Sequence, residues 1–589
     1  MRRRGRDQRA SGRGRCARTV AGLENSVLAS LRALAPDKAL LTFVDDEGAD
    51  RTSLTAAEVV TRAEAVAESL RRWGFQVGDR AVLVYPPGPE FVIALVGCLI
   101  AGVVPVPVYP PDPFRLRQTL PAFAAVLDDC RPRAVLTVKA YDRARSIGVV
   151  AGVFDRTKPS WPRITWRHTD NCRPATAPVE WRSPSDPDEP ALLQYTSGST
   201  GSPRGVVITH GNLIGEVTAN AVDLGLGERA RGVFWLPQYH DFGLISVIMS
   251  TLSGNAHSRL LSPLAFLRRP AVWFEVMSRV RATHTAAPNF AFDLAVRKTT
   301  VEQRAAWDLS SVRVFMSAAE PIRPETVTAF LDAFEPSGLH RDAFYAAYGL
   351  AEHTVSVTMG GRGTLRLDRV SLEAGRAVPA LPDRMATTLV GCGRLTKFDA
   401  RLRIVDPDTR EVLPPCRVGE IWVSSATKAL GYYGRPEQTR TTFRARVAGG
   451  EDPTDYLRTG DLGFLHGDEL FVTGRLKDLI IVRGRNLHPE DIEASVRDCH
   501  PAIRPGGVAA FSVPAEEGER LVVLVETRDR RADEQAIIEA VTERVQRDHQ
   551  LACARVVVGP QGLVRKTTSG KIRRGACREA FLSREGVPA

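Results

Sequence analysis

The chain has 589 residues, 43% of them hydrophobic and 25% charged, an ordinary globular composition that excludes a collagen-like, coiled-coil or mostly disordered protein. Its net charge is +11, but eight Arg and one Asp among the first twenty residues carry +7 of it, so the body is near +4 and no nucleic-acid footprint is expected there. Nine Cys, none in CxxC or zinc-ligand spacing, point to reduced thiols and a cytoplasmic setting.

Residues 1–22 read as an Arg-rich disordered tail. No apolar run follows it, so neither a secretory nor a twin-Arg leader is expected. A helix is predicted over Thr55–Trp73: Thr55 and Glu58 form a capping box, Val59, Ala63, Val66, Ala67 and Leu70 share one face, and Gly74 ends it. Strand-like runs follow at Ala81–Val84, Val103–Val108 and Ala134–Val138, with helical segments between them. Such alternation implies a parallel sheet covered on both faces. The stretch Phe91–Tyr109 is uncharged and long enough to cross a bilayer. Pro105 and Pro107 would end a helix there near Val104, and Gly97 and Gly102 weaken it, so a buried helix followed by a buried strand is expected and no transmembrane segment.

Residues 156–190, rich in Pro, Trp, Asp and Arg, are expected to form a long surface connection. Strand-like runs recur at Ala191–Tyr195, Val206–Ile208, Val312–Met316 and Leu402–Val405. After Gly474 the pattern restarts, with strands at 479–482, 508–513, 521–526 and 555–558 and helices at 489–497 and 534–547. The predicted fold is therefore α/β, with a large N-terminal domain (23–475) of parallel-rich sheets covered by helices and a small mobile α+β domain (478–589). Residues 359–390 look like an insertion in the first. Lys477, inside the junction Gly474–Asp478, is the expected hinge.

The segment Tyr195–Val206, YTSGSTGSPRGV, is the most informative. Gly198, Gly201 and Gly205 let backbone N–H groups approach an anion; Thr196, Ser197, Ser199 and Thr200 offer hydroxyls; Arg204 offers a charged fork to phosphate oxygens. The spacing is not GxxxxGK[ST], which sets P-loop NTPases aside and leaves a Ser/Gly-rich connector as the alternative to a phosphate site.

This loop closely resembles the signature of the adenylate-forming superfamily, which includes acyl-CoA synthetases, nonribosomal peptide adenylation domains and luciferases. Further segments resemble its motifs in the family order: WLPQYHDFGL at 235–244, SAAEPI at 317–322, YAAYGLAE at 345–352, YLRTGDLGF at 456–464, GRLKDLIIVRGRN at 474–486 and TTSGKIRR at 567–574. The resemblance implies attack of a carboxylate on the α-phosphorus of ATP with Mg²⁺ as cofactor. It puts the nucleotide phosphates on 196–205 and adenine between Tyr348, followed by Gly349, and the Ala318–Ala319 pair. The ribose hydroxyls then fall on Asp461, ribose or phosphate on Arg475, and Mg²⁺ on Glu352 and Thr200. Lys571 would bridge the substrate carboxylate and the α-phosphate, with His240 lining that end of the site. Arg204 stands where Lys is commoner, and Ala351 where many relatives have Thr.

Several stretches resemble fatty acyl-AMP ligases in particular, among them 84–111, 266–270, 282–294, 309–327 and 483–493. That resemblance implies a fatty acid substrate and transfer to an acyl carrier protein, or a carrier domain of a polyketide synthase or peptide synthetase, because an insertion at 359–393 hinders the rotation that admits CoA; a tolerated surface loop is the alternative reading of 359–390. A fatty acyl-CoA synthetase and a degenerate adenylate-binding protein remain the alternatives. The apolar runs around Trp235–Leu236, Phe242–Ile248 and Pro288–Phe292 are candidate walls of an acyl tunnel or, equally, plain core, and no acyl chain length is read from them.

Overall fold

The computed structural model describes the chain except residues 1–25, 114–115, 153–159, 197–202, 398, 451, 483–484, 516–517, 530, 568–569 and 586–589. The N-terminal tail and the phosphate-loop residues Ser197, Gly198, Ser199, Thr200 and Gly201 thus lie outside the described residues.

The capping box forms as predicted. Thr55 Oγ1 accepts from the Glu58 N–H at 3.2 Å, and the Glu58 carboxylate accepts from the Thr55 N–H at 2.8 Å. The helix Ala56–Arg72 buries Val59, Ala63, Val66 and Leu70 against the helix Pro89–Ala101. That second helix is buried from Phe91 to Ala101 and stops at Gly102, whose φ of 72° is left-handed. The strand Val104–Pro107 follows, so the apolar run divides as its prolines require. Among the described residues, no helix is long and apolar enough to cross a membrane.

A nine-stranded sheet carries the site. Its inner strands 344–349, 314–317, 284–287, 231–234, 257–260 and 39–44 run parallel in that spatial order, and antiparallel strands close both edges. A second, all-parallel sheet holds strands 104–107, 80–83, 134–137 and 166–168. The last of these corrects the reading of 156–190 as mere connection. Trp166 packs against Phe123, Tyr141 and Trp161, with the Arg145 guanidinium 4.6 Å from its ring centroid. A three-residue edge strand is too short to show a period.

Beyond the turn Leu476–Asp478, the chain forms the antiparallel strand pair Ile480–Val482 and Arg485–Leu487 and a three-stranded sheet of 503–515, 518–527 and 553–559, covered by helices Pro489–Val496, Glu534–His549 and Arg574–Glu585. Two apolar clusters, one centred on Ile492, Val523 and Val541 and the other on Phe511, Val522 and Leu582, draw only on residues of this region. The segment 359–390 is structured: strands Thr364–Asp368 and Ala386–Val390 pair, with the helix Arg369–Glu373 between them.

Candidate functional site

The parallel strands deliver their loops to one end of the sheet, where ligands bind in open α/β folds. His240 follows the strand 231–234, Ala318 and Ala319 follow 314–317, and Tyr348 and Gly349 end 344–349. Gly349 must be glycine: a Cβ there would sit 1.8 Å from the Val355 carbonyl oxygen. Ala319 has a left-handed φ of 73°, a strained conformation for a residue with a side chain, beside the position expected for adenine.

The phosphate loop joins two antiparallel strands, with Thr196 paired directly to Arg204 at its base. The Arg204 guanidinium lies 5.2 Å from the centroid of the Tyr432 ring, and the Tyr432 hydroxyl donates to Glu352 Oε1 at 2.9 Å. Tyr432 therefore connects the loop to the candidate metal ligand, a residue the sequence reading missed. Desolvation pushes the Glu352 carboxyl up, only partly offset by its hydrogen bonds, so a cation beside it is favoured. Among the described residues no three His, Cys, Asp or Glu converge on a metal position. One carboxylate completed by phosphate oxygens and water suits Mg²⁺.

Asp461 is 9% exposed. Its Oδ2 accepts from the Tyr348 hydroxyl at 2.8 Å, and its Oδ1 pairs with Arg475 at 3.2 Å. Desolvation raises its pKa while Arg475 and Tyr348 pull it down, leaving it above the ordinary value. His240 Nδ1 lies 2.5 Å from Asp241 Oδ1. Desolvation pushes Asp241 up, but His240 and then Lys571 hold it below its ordinary value.

Lys571 comes from beyond the turn that carries Lys477. Reciprocal hydrogen bonds close its loop: the Thr567 N–H donates to the Lys571 carbonyl at 2.8 Å, and the Lys571 N–H donates to Thr567 Oγ1 at 3.0 Å. Desolvation lowers its pKa; Asp241, Glu320 and Asp461 oppose that, and Arg475 adds to it. Arg574, three residues on, fastens the loop, with ion pairs to Asp478 at 2.9 Å and to Glu490 and Glu493 at 2.7 Å each.

A buried polar network holds the turn behind Glu352. Lys397 Nζ meets Glu216 Oε2 at 2.6 Å and donates to the Ser356 carbonyl at 2.5 Å and to Thr427 Oγ1 at 2.7 Å. Glu216 also accepts from the Ser356 N–H at 3.0 Å. His353, next to Glu352, is fully buried between Ser356 and Ser425, and desolvation holds its pKa well below the ordinary value. Thr354 follows with a left-handed φ of 65°, and its hydroxyl donates to the Thr427 carbonyl at 2.6 Å.

The helix Arg369–Glu373 docks on the C-terminal region. Glu373 accepts a two-point bond from Arg485, at 2.9 and 3.1 Å, and Arg369 donates to the Asp548 carbonyl.

A small apolar cavity of about 30 Å³ lies between the central sheet and the π-helix Phe242–Met249. Phe242, Ser246 and Val247 line it as expected of that run. Trp235 and Phe292 do not. The Trp235 ring stacks on Phe266 with centroids 4.0 Å apart, and Phe292 packs among Phe315, Phe330 and Phe344, so both belong to the core.

Two family models match the chain: an AMP-binding enzyme over residues 32–433, and the AMP domain of Disco-interacting protein 2-like proteins over residues 477–587. The sequence is 40% identical over 556 residues to the medium-chain-fatty-acid–[acyl-carrier-protein] ligase JamA of Moorena producens, covering 92% of each chain. It is 38% identical over 572 residues to the long-chain-fatty-acid–AMP ligase FadD26 of Mycobacterium marinum, covering 93% of this chain and 95% of that one. Among solved structures, a chain from a study of fatty acyl-adenylate ligases of E. coli and L. pneumophila matches with TM-score 0.84 at 29% identity, covering 95% and 98%. The fatty acyl-adenylate ligase of L. pneumophila in complex with acyl adenylate and pyrophosphate matches with TM-score 0.71 at 33% identity, covering 95% and 96%.

Proposed function

The chain belongs to the AMP-binding enzyme family, in its fatty acyl-AMP ligase branch, and on that premise we propose how its residues divide the chemistry. It activates a fatty acid with ATP to the acyl-adenylate and releases pyrophosphate. The bond formed joins a carboxylate oxygen to the α-phosphorus; the bond broken is the one to the bridging oxygen of the leaving pyrophosphate. Two anions must meet in line, so positioning and charge neutralisation do most of the work.

Lys571 bridges the incoming carboxylate and the α-phosphate and neutralises the charge that develops between them. The observation that carries this assignment is its setting: a loop from the C-terminal region holds the ammonium where burial lowers its pKa, Asp241, Glu320 and Asp461 oppose that, and Arg475 adds to it. Asp461, aligned by Tyr348, accepts from the ribose hydroxyls, with Arg475 beside it. Tyr348 and Gly349 face Ala318 and Ala319 across the adenine. Thr196 and Arg204 pair at the base of the phosphate-binding segment, whose residues Ser197–Gly201 are assigned from the sequence to the leaving phosphates. His240 lines the carboxylate end. Glu352 and Thr200 would hold Mg²⁺, which would supply Lewis-acid neutralisation of the phosphate charge. Residues 23–475 act as the large domain and 478–589 as the small one, turning about Lys477 between the half-reactions.

The acceptor is the phosphopantetheine thiol of an acyl carrier protein, free or as a carrier domain of a polyketide synthase or peptide synthetase. The relative JamA, named for acyl-carrier-protein ligation, supports that reading, as does the Arg369–Glu373 helix docked on the C-terminal region. The eight described cysteines, all unpaired, fit a reducing cytoplasm. Exchange of labelled pyrophosphate into ATP should require both a fatty acid and Mg²⁺. Acyl groups should then pass to a phosphopantetheinylated carrier and scarcely to CoA. Exchange that needs no fatty acid, or efficient acyl-CoA synthesis, would overturn the reading.

A further inference from the structure

A three-stranded sheet carries the phosphate-binding segment: Pro190–Thr196 leads in, Arg204–Thr209 leads out, and Gly431–Tyr432 lies beside the second of these. The Tyr433 N–H donates to the Gly205 carbonyl at 2.8 Å, and the turn that follows brings Arg435 to the same end of the ladder. Arg435 Nη2 donates to Asp129 Oδ1 at 2.7 Å and lies 3.5 Å from the Pro203 carbonyl oxygen. The other oxygen of that carboxylate, Oδ2, accepts from the Tyr195 hydroxyl at 2.6 Å. Tyr195 stands just before residues 197–202 and Pro203 just after them. One carboxylate and one guanidinium thus join both flanks of the segment.

The local fold gives no reason for Asp129. It sits in the last turn of the helix Leu116–Cys130, beside Asp128 and with no basic residue in that turn, where the helix dipole disfavours a carboxylate. Its partners come from far along the chain, 66 positions away at Tyr195 and 306 at Arg435. The ladder is shaped to let them meet. Tyr195 faces Gly205 across it, and a Cβ on Gly205 would sit 2.9 Å from the ring Cζ, so the glycine leaves room for the ring to lie over it with its hydroxyl on Asp129. Desolvation and then the Asp129 hydrogen bond push the Tyr195 pKa up, so the hydroxyl keeps its proton and remains a donor. The side chains of Asp129 and Arg435 are 18% and 29% exposed, which shields their ion pair better than a surface one.

We propose that Asp129 and Arg435 are positioning residues for the leaving phosphates of ATP: their ion pair clamps Tyr195 and Pro203 and so holds the phosphate-binding segment ready for the β- and γ-phosphates. They act through the segment and have no part in holding the fatty acid or the adenine. Arginine suits the place because Nη2 carries two protons in a fixed plane, one for Asp129 and one for the Pro203 carbonyl. The strand that leads to Arg435 also carries Tyr432, whose hydroxyl donates to Glu352, so the clamp and the candidate metal ligand share one support. The inference rests on the phosphate-segment reading above and adds what holds the segment.

The test is pyrophosphate exchange by the full chain, with ATP, decanoic acid and pyrophosphate varied in turn. Beside it runs the binding of a non-hydrolysable sulfamate analogue of decanoyl adenylate, which lacks the leaving phosphates. Asp129→Asn and Arg435→Gln should each raise KM for ATP and for pyrophosphate about tenfold, as the loss of one charged hydrogen bond would, while KM for decanoic acid and affinity for the analogue stay within about twofold. The double variant should be within about twofold of the worse single one, because both break one pair. Arg435→Lys keeps the ion pair and should recover part of the loss. Tyr195→Phe removes one bond of the clamp and should raise the same two constants; these two milder variants carry the test if thermal unfolding shows the others damaged. Parallel loss of ATP, acid and analogue binding would make the pair a support of the fold and overturn the inference, as would an unmoved KM for ATP. Arg204→Ala reads the underlying assignment. If its KM for ATP stays at the wild-type value, the phosphate-segment reading fails and this inference with it; if it rises while the clamp variants stay unmoved, only this inference fails.

Discussion

Glu373→Gln should convert the protein partly into a CoA ligase. Glu373 sits on the Arg369–Glu373 helix and receives two hydrogen bonds from Arg485 across to the C-terminal region. Its side chain is 10% exposed and that of Arg485 32%. Breaking a fully buried pair costs about 3–5 kcal/mol, but solvent reaches Arg485, so about 1–2 kcal/mol is expected here. That raises the undocked state by about five- to thirtyfold. If docking keeps CoA out, acyl-CoA formation by Glu373→Gln should rise by a similar factor while fatty-acid-dependent pyrophosphate exchange stays near wild type. Arg485→Gln should do the same, and the double variant should add little, because both remove one interaction. Parallel assays with CoA and with a phosphopantetheinylated carrier read the effect. Unchanged acyl-CoA formation in both single variants would refute the restraint, as would fully additive effects.

Lys571→Ala should lower adenylate formation by at least about a hundredfold, an effect expected when a charge-stabilising donor is lost. Desolvation lowers the Lys571 pKa from 10.5, so the ammonium is lost as pH rises sooner than in a free lysine, and pyrophosphate exchange should fall on the alkaline side below that value. Lys571→Arg should move the fall to higher pH; an unmoved limb would assign it elsewhere. Lys397→Met leaves the buried Glu216 carboxylate without its cation and should cost about 3–5 kcal/mol in urea unfolding, with adenylation falling too because Glu352 hangs on the same network. His549 is buried beside Ser495, Asp548, Arg369 and Arg485, and its pKa is lowered from 6.5 to about 4 by desolvation and then by those arginines. The unfolded chain therefore binds the proton first, and stability is lost as pH falls from 6.5 towards about 4, by about 2 kcal/mol near pH 5. His549→Gln should remove that part of the pH dependence in thermal unfolding. Lys477→Pro should spare adenylation or transfer but not both, and equal retention of both rates would place the hinge elsewhere.

Much of the architecture was legible because local chemistry sets it. The Thr55–Glu58 cap, the Gly102 stop and the Pro105–Pro107 break each act within a few residues and appear where their chemistry requires. The π-helix at 242–249 was not legible as such, since a continuous apolar run has no period by which to tell one helix from another. The helix Arg574–Glu585 was missed because only Cys577 and Leu582 are buried on it, too few for an apolar stripe. At the site, motif residues such as Asp461 and Glu352 stood out in sequence, but what orients them did not. Lys397 and Glu216 are 181 positions apart, Tyr432 and Glu352 are 80, and Arg485 and Glu373 are 112. Such pairings arise from the fold, and neither partner carries a local signature.

The bond formed in the first half-reaction tests the central claim most directly. Decanoic acid carrying oxygen-18 in both carboxylate positions is supplied with ATP, Mg²⁺ and a phosphopantetheinylated carrier, and the nucleotide product is weighed. Attack of the carboxylate on the α-phosphorus, followed by transfer of the acyl group to the thiol, leaves one heavy oxygen in AMP and none in pyrophosphate. Heavy oxygen in inorganic phosphate, or AMP without it while acyl carrier accumulates, would contradict the account.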